Sequence, residues 1–182
     1  MTIHTRTTLK ASGQHNLART KCYYYVTSSP VGKLLLAGDQ HKLTLISFQE
    51  GKHPMKPPPT WTYDQKPFRE AIQQLKEYFS GNRTTFTIHL APQGTIFQLA
   101  VWQALKTIPY GTTVSYGDIA KAIGRPNASR AVGAANGQNP HSIIVPCHRV
   151  IGSTGKLVGY GGGLNIKAKL LALEHQVLSQ KT

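Results

Sequence analysis

Short apolar runs in the first half of the chain predict a small sheet and one helix. Three such runs occur between residues 22 and 50, and Gly-Asp and His-Lys pairs that suit turns separate them. They predict an antiparallel meander of strands. Apolar residues then recur at spacings of four, three and four, at Phe68, Ile72, Leu75 and Phe79. This spacing places them on one face of a helix over 67–80, and alternation over 84–90 predicts a further strand.

The second half of the chain has the spacing of helices. Helices are predicted over 95–108 and 165–178, and another begins after Ser115, whose hydroxyl suits an N-cap. A further helix, over 128–136, follows a Pro-containing break and has Asn127 as its candidate cap. Two short helices joined by a tight turn resemble a helix-turn-helix. The second of them is rich in Ala and Gly, which indicates either close approach to another surface or close packing in a core.

These patterns divide the chain into a tail and two domains. Residues 1–21 are polar and lack periodicity, so we expect them to form a mobile tail. An N-terminal α/β domain with a small, mainly antiparallel sheet is predicted over 22–91. A mainly helical C-terminal domain is predicted over 95–178, after an Ala-Pro-Gln-Gly boundary. The predicted fold class is α+β.

The apolar runs and the number of cysteines indicate the cellular compartment of the protein. No apolar run approaches the roughly 18 residues that a membrane-spanning helix needs. The N-terminal segment lacks the apolar core that is typical of a secretory signal. The chain has two cysteines, Cys22 and Cys147, which are too few for a disulfide framework. We therefore expect a cytoplasmic protein.

Positive charge is spread over the whole chain. Lys and Arg number 21 against 7 Asp and Glu, which gives a formal net charge of +14. Residues 1–91 carry 12 basic and 5 acidic side chains and residues 92–182 carry 9 and 2, so each half has a net charge of +7. Such a field attracts polyanions, either nucleic acid or an anionic membrane surface. The alternative is a soluble protein that happens to be basic.

Cys147 is the candidate nucleophile. It lies in the apolar stretch IIVPCHRVI, where a cysteine is usually inert packing, but the His and Arg that follow it favour a thiolate. In an extended chain Cys147 and His148 point to opposite faces. We therefore expect His148 to act on the thiol through a bound water, with a carboxylate orienting its ring. The C-terminal half offers Asp118 and Glu174, and Glu174 is either exposed at a helix end or buried in this polar role.

The sequence predicts neither a metal site nor a cofactor site. Neither cysteine belongs to a CxxC pair. Cys22, His4 and His15 do not have the spacing of metal ligands. No second substrate site is apparent, and we expect the protein to act without a cofactor.

The motif Pro-Cys-His-Arg-Val at 146–150 resembles the active-site signature of the O6-alkylguanine-DNA alkyltransferases, or methylated-DNA–protein-cysteine methyltransferases. The similarity extends over essentially all of 95–176, including VSYGDIAKAIGRPNASRAVGAANGQNP and the segment GYGGG. YYYVTSSPVGKLLLAGD resembles the usual opening of the family's N-terminal domain, and the length fits the single-module bacterial form. The resemblance implies an RNase H-like N-terminal domain and a C-terminal domain with a helix-turn-helix and a wing.

The resemblance implies three sets of functional residues. The catalytic set is Cys147 as alkyl acceptor, His148 and Glu174 as its activating partners, Tyr116 as a donor to the guanine ring, and Asn139 as a hinge. The DNA-binding set is Arg130, which fills the gap in the base stack, with Ala128, Ser129, Gly133 and Tyr116 on the face in the minor groove. The substrate-pocket set is Pro146, Val150, Tyr160, Gly161 and Ser142. His141-Ser142 and Gly161 differ from some relatives, in the part of the pocket that determines which alkyl groups fit.

The implied function is direct reversal of DNA damage. The protein would flip O6-alkylguanine, and also O4-alkylthymine, out of duplex DNA bound through the minor groove. It would transfer the alkyl group irreversibly to Cys147, because a thioether has no carbonyl for water to attack. The expected partner is double-stranded DNA that contains alkylated bases. We expect the protein to act as a monomer and to have no membrane partner.

Two other functions remain open from the residues alone. A DNA-binding or lesion-recognition module without chemistry explains the helix-turn-helix and the charge equally well. A cysteine hydrolase using Cys147 and His148 is the third hypothesis, and the adjacency of the two residues argues against it.

Overall fold

The computed structural model describes residues 21–50 and 54–180. The predicted tail over 1–21 lies outside the described residues, except for Lys21. A small sheet with one helix packed on it is followed by a mainly helical part. The predicted α+β fold class is confirmed.

The sheet has four strands in the order β3-β2-β1-β4. β1 (Tyr23–Ser29), β2 (Gly32–Gly38) and β3 (Leu43–Phe48) form the predicted antiparallel meander. β4 (Thr62–Tyr63) pairs in parallel with β1. The sequence does not predict β4, because two residues are too few to show alternation.

One helix covers the sheet. A 3₁₀ turn (Lys66–Phe68) leads into α1 (Arg69–Phe79), which is the predicted helix. Its apolar face is buried in a cluster with Leu34 and Leu36 of β2. Gly81, at φ 76°, follows the helix in the left-handed conformation that commonly ends one.

The predicted strand over 84–90 is wrong. Only Leu90 in this described segment forms a bridge, with Leu43. The Gln74 side chain of α1 accepts a hydrogen bond from the Thr87 N–H (2.9 Å) and donates one to the Thr87 hydroxyl (2.7 Å). A side chain therefore takes the position that a neighbouring strand would occupy.

Four helices build the second part of the chain. They are α2 (Ile96–Lys106), α3 (Tyr116–Ala122), α4 (Ser129–Gly137) and α5 (Leu164–Ser179). Ser115 caps α3 as predicted, and the Asp118 side chain bonds back to the Ser115 N–H. β5 (Val114–Ser115) pairs in parallel with β6 (Val150–Ile151). No helix within the described ranges is long and apolar enough to cross a membrane.

The prediction that Asn127 caps α4 is wrong. Ala128 occupies the cap position, and α4 begins without a side-chain cap. The Ala128 N–H donates to the Arg125 carbonyl at 2.9 Å. Asn127 therefore lies inside the turn that links α3 to α4.

The sheet part and the helical part share a core. Ile143, Ile166 and Leu170 belong to the same buried cluster as the side chains of β2 and α1. The Ile46 N–H of β3 donates to the Pro140 carbonyl at 2.7 Å. The segment that leads to Cys147 is therefore held against the sheet, and the domain boundaries at 22–91 and 95–178 stay predictions.

Candidate active site

Cys147 begins a buried 3₁₀ turn (Cys147–Arg149). The expectation of an extended chain at Cys147 and His148 is wrong, because Pro146, at φ −81° and ψ 60°, turns the backbone before the cysteine. Cys147 is 3% exposed and His148 is fully buried. The buried Asn136 of α4 donates to the Cys147 carbonyl at 3.4 Å. The thiol and the imidazole therefore both lie inside the protein.

Glu174 of α5 is the centre of a buried hydrogen-bond network. Its carboxylate accepts from His148 Nε2 (2.9 Å), Arg149 Nε and Nη2 (both 2.9 Å), the Tyr78 hydroxyl (2.8 Å) and the Gly111 N–H (2.9 Å). Burial raises the pKa of Glu174, but the hydrogen bonds from His148 and Arg149 outweigh it and hold the pKa at about 2. Glu174 is fully buried, so the prediction of a buried polar role is the one that matches its position.

The network fixes the tautomer of His148. A carboxylate accepts hydrogen bonds, so Nε2 of His148 carries the hydrogen given to Glu174, and Nδ1 presents a lone pair. Burial lowers the pKa of His148, although the bond to Glu174 opposes it. Among the described residues, Nδ1 of His148 has no hydrogen-bond partner. His148 is therefore a neutral base whose second nitrogen can accept a proton.

The surroundings of the Cys147 sulfur act on its ionisation in both directions. Burial has the largest effect and keeps the pKa of the thiol above its ordinary value, whereas the Asn139 side chain, the charge of Lys167 and the Tyr160 hydroxyl lower it by less. Burial and the nearby Cys147 raise the pKa of Tyr160 well above its usual value. Three polar groups therefore offset part of the cost of forming a thiolate here, and a neighbouring base is needed to take the proton.

Lys167 is a candidate functional residue that the sequence analysis misses. Its side chain is fully buried, and Nζ donates to the carbonyls of Val150 (2.6 Å) and Val158 (2.8 Å). The sequence holds a signal for it, because Lys167, Leu170 and Glu174 recur at spacings of three and four and so share a face of α5. Lys167 thereby holds the segment after β6 beside the sulfur.

Asn139 orders the segment before Cys147. Its Nδ2 donates to the Val145 carbonyl (2.8 Å), and its Oδ1 accepts from the His141 N–H (3.0 Å). Within this segment the buried Ile143 has φ 75°. A β-branched residue in the left-handed region is strained by about 1–3 kcal/mol. Tertiary contacts on both sides of Ile143 therefore hold the backbone in place.

A cavity of about 450 Å³ lies beside α4 and the glycine-rich segment that follows β6. It is lined by Tyr116, Gly133, Gly137, Val158, Gly159, Tyr160 and Gly161. The Tyr116 hydroxyl donates to the Val158 carbonyl at 3.3 Å. Tyr116 and Tyr160 of the cavity wall pack against the buried cluster that contains Cys147, so the thiol lies behind this wall. Burial and the nearby Cys147 raise the pKa of Tyr116. Its volume is within the range of small-molecule pockets, and four of its lining residues are glycines.

The structure brings part of the predicted pocket set to this cavity. Tyr160 and Gly161 line it. Ser142 lines a neighbouring cavity of about 170 Å³, together with Gly161. Pro146 lines a separate crevice of about 520 Å³, and Val150 is fully buried. The roles of these residues stay predictions.

The predicted DNA-binding residues lie at the start of α4. Arg130 is exposed, whereas Ala128 and Ser129 are half-buried. Arg130 and Gly133 are three residues apart, so they share a face of the helix. The positively charged Arg130 therefore lies about one turn of α4 from Gly133, which lines the cavity.

Two family models match the chain. The ribonuclease-like domain of 6-O-methylguanine DNA methyltransferase matches residues 22–92, and the DNA-binding domain of the same family matches residues 96–176. A methylated-DNA–protein-cysteine methyltransferase of Methanosarcina acetivorans is 55% identical, over 84% of this chain and 97% of its own. One of Mycobacterium leprae is 54% identical, over 85% of this chain and 93% of its own.

Solved structures show the same similarity. The crystal structure of Mycobacterium tuberculosis OGT in complex with DNA has a TM-score of 0.80 and 52% identity, over 85% of this chain and 94% of that one. The crystal structure of the Mycobacterium tuberculosis O6-methylguanine methyltransferase has a TM-score of 0.80 and 49% identity, over 88% and 99%. The matches cover both parts of the fold, and the chain belongs to the family of methylated-DNA–protein-cysteine methyltransferases.

Proposed function

We propose that this protein repairs alkylated DNA by moving the alkyl group from the O6 atom of guanine to the sulfur of Cys147. The observation that carries the proposal is a buried thiol, next to the His148–Glu174 pair, beside a cavity of about 450 Å³. The names of the curated relatives support the reaction, and the DNA complex of a similar structure supports the partner.

Duplex DNA is the partner. The net charge of +14 gives a sequence-independent attraction to phosphates. A buried sulfur cannot reach a base edge inside a stacked duplex, so the damaged nucleotide is flipped into the cavity. Arg130 fills the gap that it leaves, and the small residues Ala128, Ser129 and Gly133 allow α4 to lie close to the minor groove.

The transfer is a displacement at a saturated carbon. Nδ1 of His148 takes the thiol proton through a bridging water, and Glu174 stabilises the imidazolium that forms. The thiolate then attacks the alkyl carbon, so that the S–C bond forms as the O6–C bond breaks and the electron pair stays on the purine. A hydrogen bond from Tyr116 to the ring stabilises the departing purine anion. Asn139 and Lys167 stabilise the thiolate before attack.

The product limits each chain to one reaction. A thioether offers no carbonyl to water, so Cys147 is not regenerated. O4-alkylthymine presents an alkyl–oxygen bond of the same kind and is a second substrate of the same site. The protein acts as a monomer, in the cytoplasm, and needs no cofactor for this step.

Incubation with a duplex that carries one O6-methylguanine tests the proposal. Repaired guanine is expected to reach one equivalent of the protein and then stop, while the protein gains the mass of one transferred group. An unmodified duplex of the same sequence is the control. A bound but intact lesion would indicate a binding module instead, and continued turnover would indicate a hydrolase.

Arg130→Ala is expected to slow repair of duplex DNA about tenfold or more, because flipping costs a few kcal/mol and the variant has nothing to fill the gap. Transfer from a free O6-alkylguanine base should stay at the wild-type rate, because that substrate needs no flipping. Arg69→Ala, which removes the same charge from the exposed surface of α1, is the matched control. Equal losses on DNA and free base would contradict the role of Arg130.

Tyr116→Phe is expected to slow transfer about a hundredfold on both DNA and free base, because the leaving purine loses its donor. Single-turnover kinetics measure this rate apart from DNA affinity. Tyr63→Phe, at a tyrosine that is 61% exposed, is the control. A wild-type rate in Tyr116→Phe would show that the hydroxyl takes no part in the reaction.

A further inference from the structure

His141 joins the segment before Cys147 to β3. The residue is 1% exposed, and its ring Nε2 lies 2.9 Å from the carbonyl oxygen of Leu43. A carbonyl accepts hydrogen bonds, so Nε2 carries the hydrogen and donates it. Burial lowers the pKa of His141 to about 4, although the bond to Leu43 opposes this. The ring is therefore a neutral donor near neutral pH.

Three segments meet at Leu43. Its carbonyl accepts from the His141 ring and from the Ala91 N–H at 2.9 Å. Its own N–H donates to the His89 carbonyl at 2.8 Å. Leu43 therefore anchors three segments at one residue: β3, the chain over 89–91 and the segment that leads to Cys147.

The backbone of His141 connects this anchor to the sulfur. Its N–H donates to Asn139 Oδ1 (3.0 Å), and its carbonyl accepts from the Val145 N–H (2.9 Å). Asn139 donates in turn to the Val145 carbonyl (2.8 Å), which also accepts from the Cys147 N–H (2.8 Å). The Asn139 side chain also lowers the pKa of the Cys147 thiol. A displacement of His141 therefore reaches Cys147 through the Asn139 side chain and through the backbone at Val145.

The bond between His141 and Leu43 helps to hold Ile143 in a strained backbone conformation. Ile143 lies between His141 and Cys147 with φ 75° and is buried. Such a conformation persists where the contacts around it over-determine the backbone. On one side those contacts are the His141 ring bond to Leu43 and the backbone bond from the Ile46 N–H to the Pro140 carbonyl, and on the other side it is the buried turn at Cys147. Without the ring bond, one backbone bond to β3 remains on this side, and the strain at Ile143 favours a displacement of the residues that follow it.

We propose that His141 is a positioning residue for Cys147: its ring bond to Leu43 holds the strained segment, so that Asn139 keeps its hydrogen bond to the Val145 carbonyl beside the cysteine. The inference rests on the proposed role of Cys147 as alkyl acceptor. His141 acts through Asn139, so its loss alters the reactivity of the thiol and leaves DNA affinity unchanged.

The test compares two substitutions in a Cys22→Ala background. His141→Leu keeps an apolar volume without a donor, and His141→Gln offers an amide N–H to the same carbonyl. In His141→Leu, we expect the rate of alkylation of Cys147 by iodoacetamide to rise at a higher pH than in the protein with His141. Transfer from a free O6-alkylguanine base should be about tenfold to a hundredfold slower, with unchanged affinity for duplex DNA. His141→Gln should restore most of the pH profile and most of the transfer rate. His41→Leu, at an exposed histidine, should resemble the wild type.

Several results would overturn the inference. A His141→Leu protein with the wild-type thiol profile and rate would do so even if its melting temperature fell, because His141 would then be structural alone. Equal losses in the Leu and Gln variants would do so as well. If His141→Leu does not fold, nitrogen NMR of the wild-type ring decides, since the Nε2–H tautomer is expected and the Nδ1–H tautomer contradicts it. A wild-type protein with the expected thiol profile that transfers no alkyl group would count against the proposed function instead.

Discussion

A Cys147→Ala variant is expected to bind alkylated duplex DNA like the wild type and to transfer no alkyl group. The alanine methyl has no lone pair to attack a carbon, whereas Arg130 and the surface charge that hold DNA are unchanged. Cys22 cannot replace it, because Cys22 lies just before β1, outside the network around Glu174 and outside the lining of the cavity. Single-turnover assays with labelled O6-methylguanine DNA measure the transfer, and filter binding measures the affinity.

Cys22→Ala is the matched control for this result. It removes the same atom from a site outside the network around Glu174, so repair should proceed at the wild-type rate. Residual transfer by Cys147→Ala, or a loss of transfer in Cys22→Ala, would place the acceptor elsewhere in the chain.

Glu174→Gln is the second change with a large expected effect. The amide keeps the shape of the side chain, but it removes the charge that faces the buried Arg149 and presents donors to groups that already donate. Leaving a buried charge unpaired costs about 3–5 kcal/mol, and we expect the free energy of unfolding in urea to fall by that amount. Transfer should slow about a hundredfold, because His148 loses the group that orients and stabilises it.

Glu77→Gln provides the comparison for Glu174→Gln. Glu77 pairs with Arg83 at 2.7 Å on the surface, where water screens the charges. Its substitution should leave transfer unchanged and alter stability far less. Similar losses in the two variants would contradict a special role for the buried carboxylate.

Glu174 also sets the response of stability to acid. Its pKa is about 2 in the folded protein against an ordinary value of 4.5. A carboxyl whose pKa falls on folding stabilises the fold above its unfolded pKa, and this contribution is lost as the pH falls through the folded pKa. The shift corresponds to about 3 kcal/mol, at about 1.4 kcal/mol per pKa unit. Wild-type stability should therefore decline between pH 4.5 and about pH 2 more steeply than that of Glu174→Gln, as measured by urea unfolding.

Most elements with a sustained hydrophobic period could be predicted from the sequence. The meander of β1 to β3, the apolar face of α1 and the Ser115 cap each depend on local spacing or local hydrogen bonding. The predicted strand over 84–90 failed because the competing partner, Gln74, belongs to another element. Asn127 failed as a cap because the turn places Ala128 at that position.

The candidate site divides in the same way. Cys147, His148 and Glu174 stand out in the sequence through the motif and the scarcity of acidic residues. Tyr78 does not, because it reaches Glu174 from 96 residues away and only the packing of the two parts brings them together. Lys167 could have been found from its position on the apolar face of α5.

Peptide mapping after reaction with excess duplex DNA containing labelled O6-methylguanine tests the central claim most directly. The account predicts one label per chain, on the sulfur of Cys147, and no further uptake when more DNA is added. A label on another residue, or loss of the lesion with no label on the protein, would contradict it.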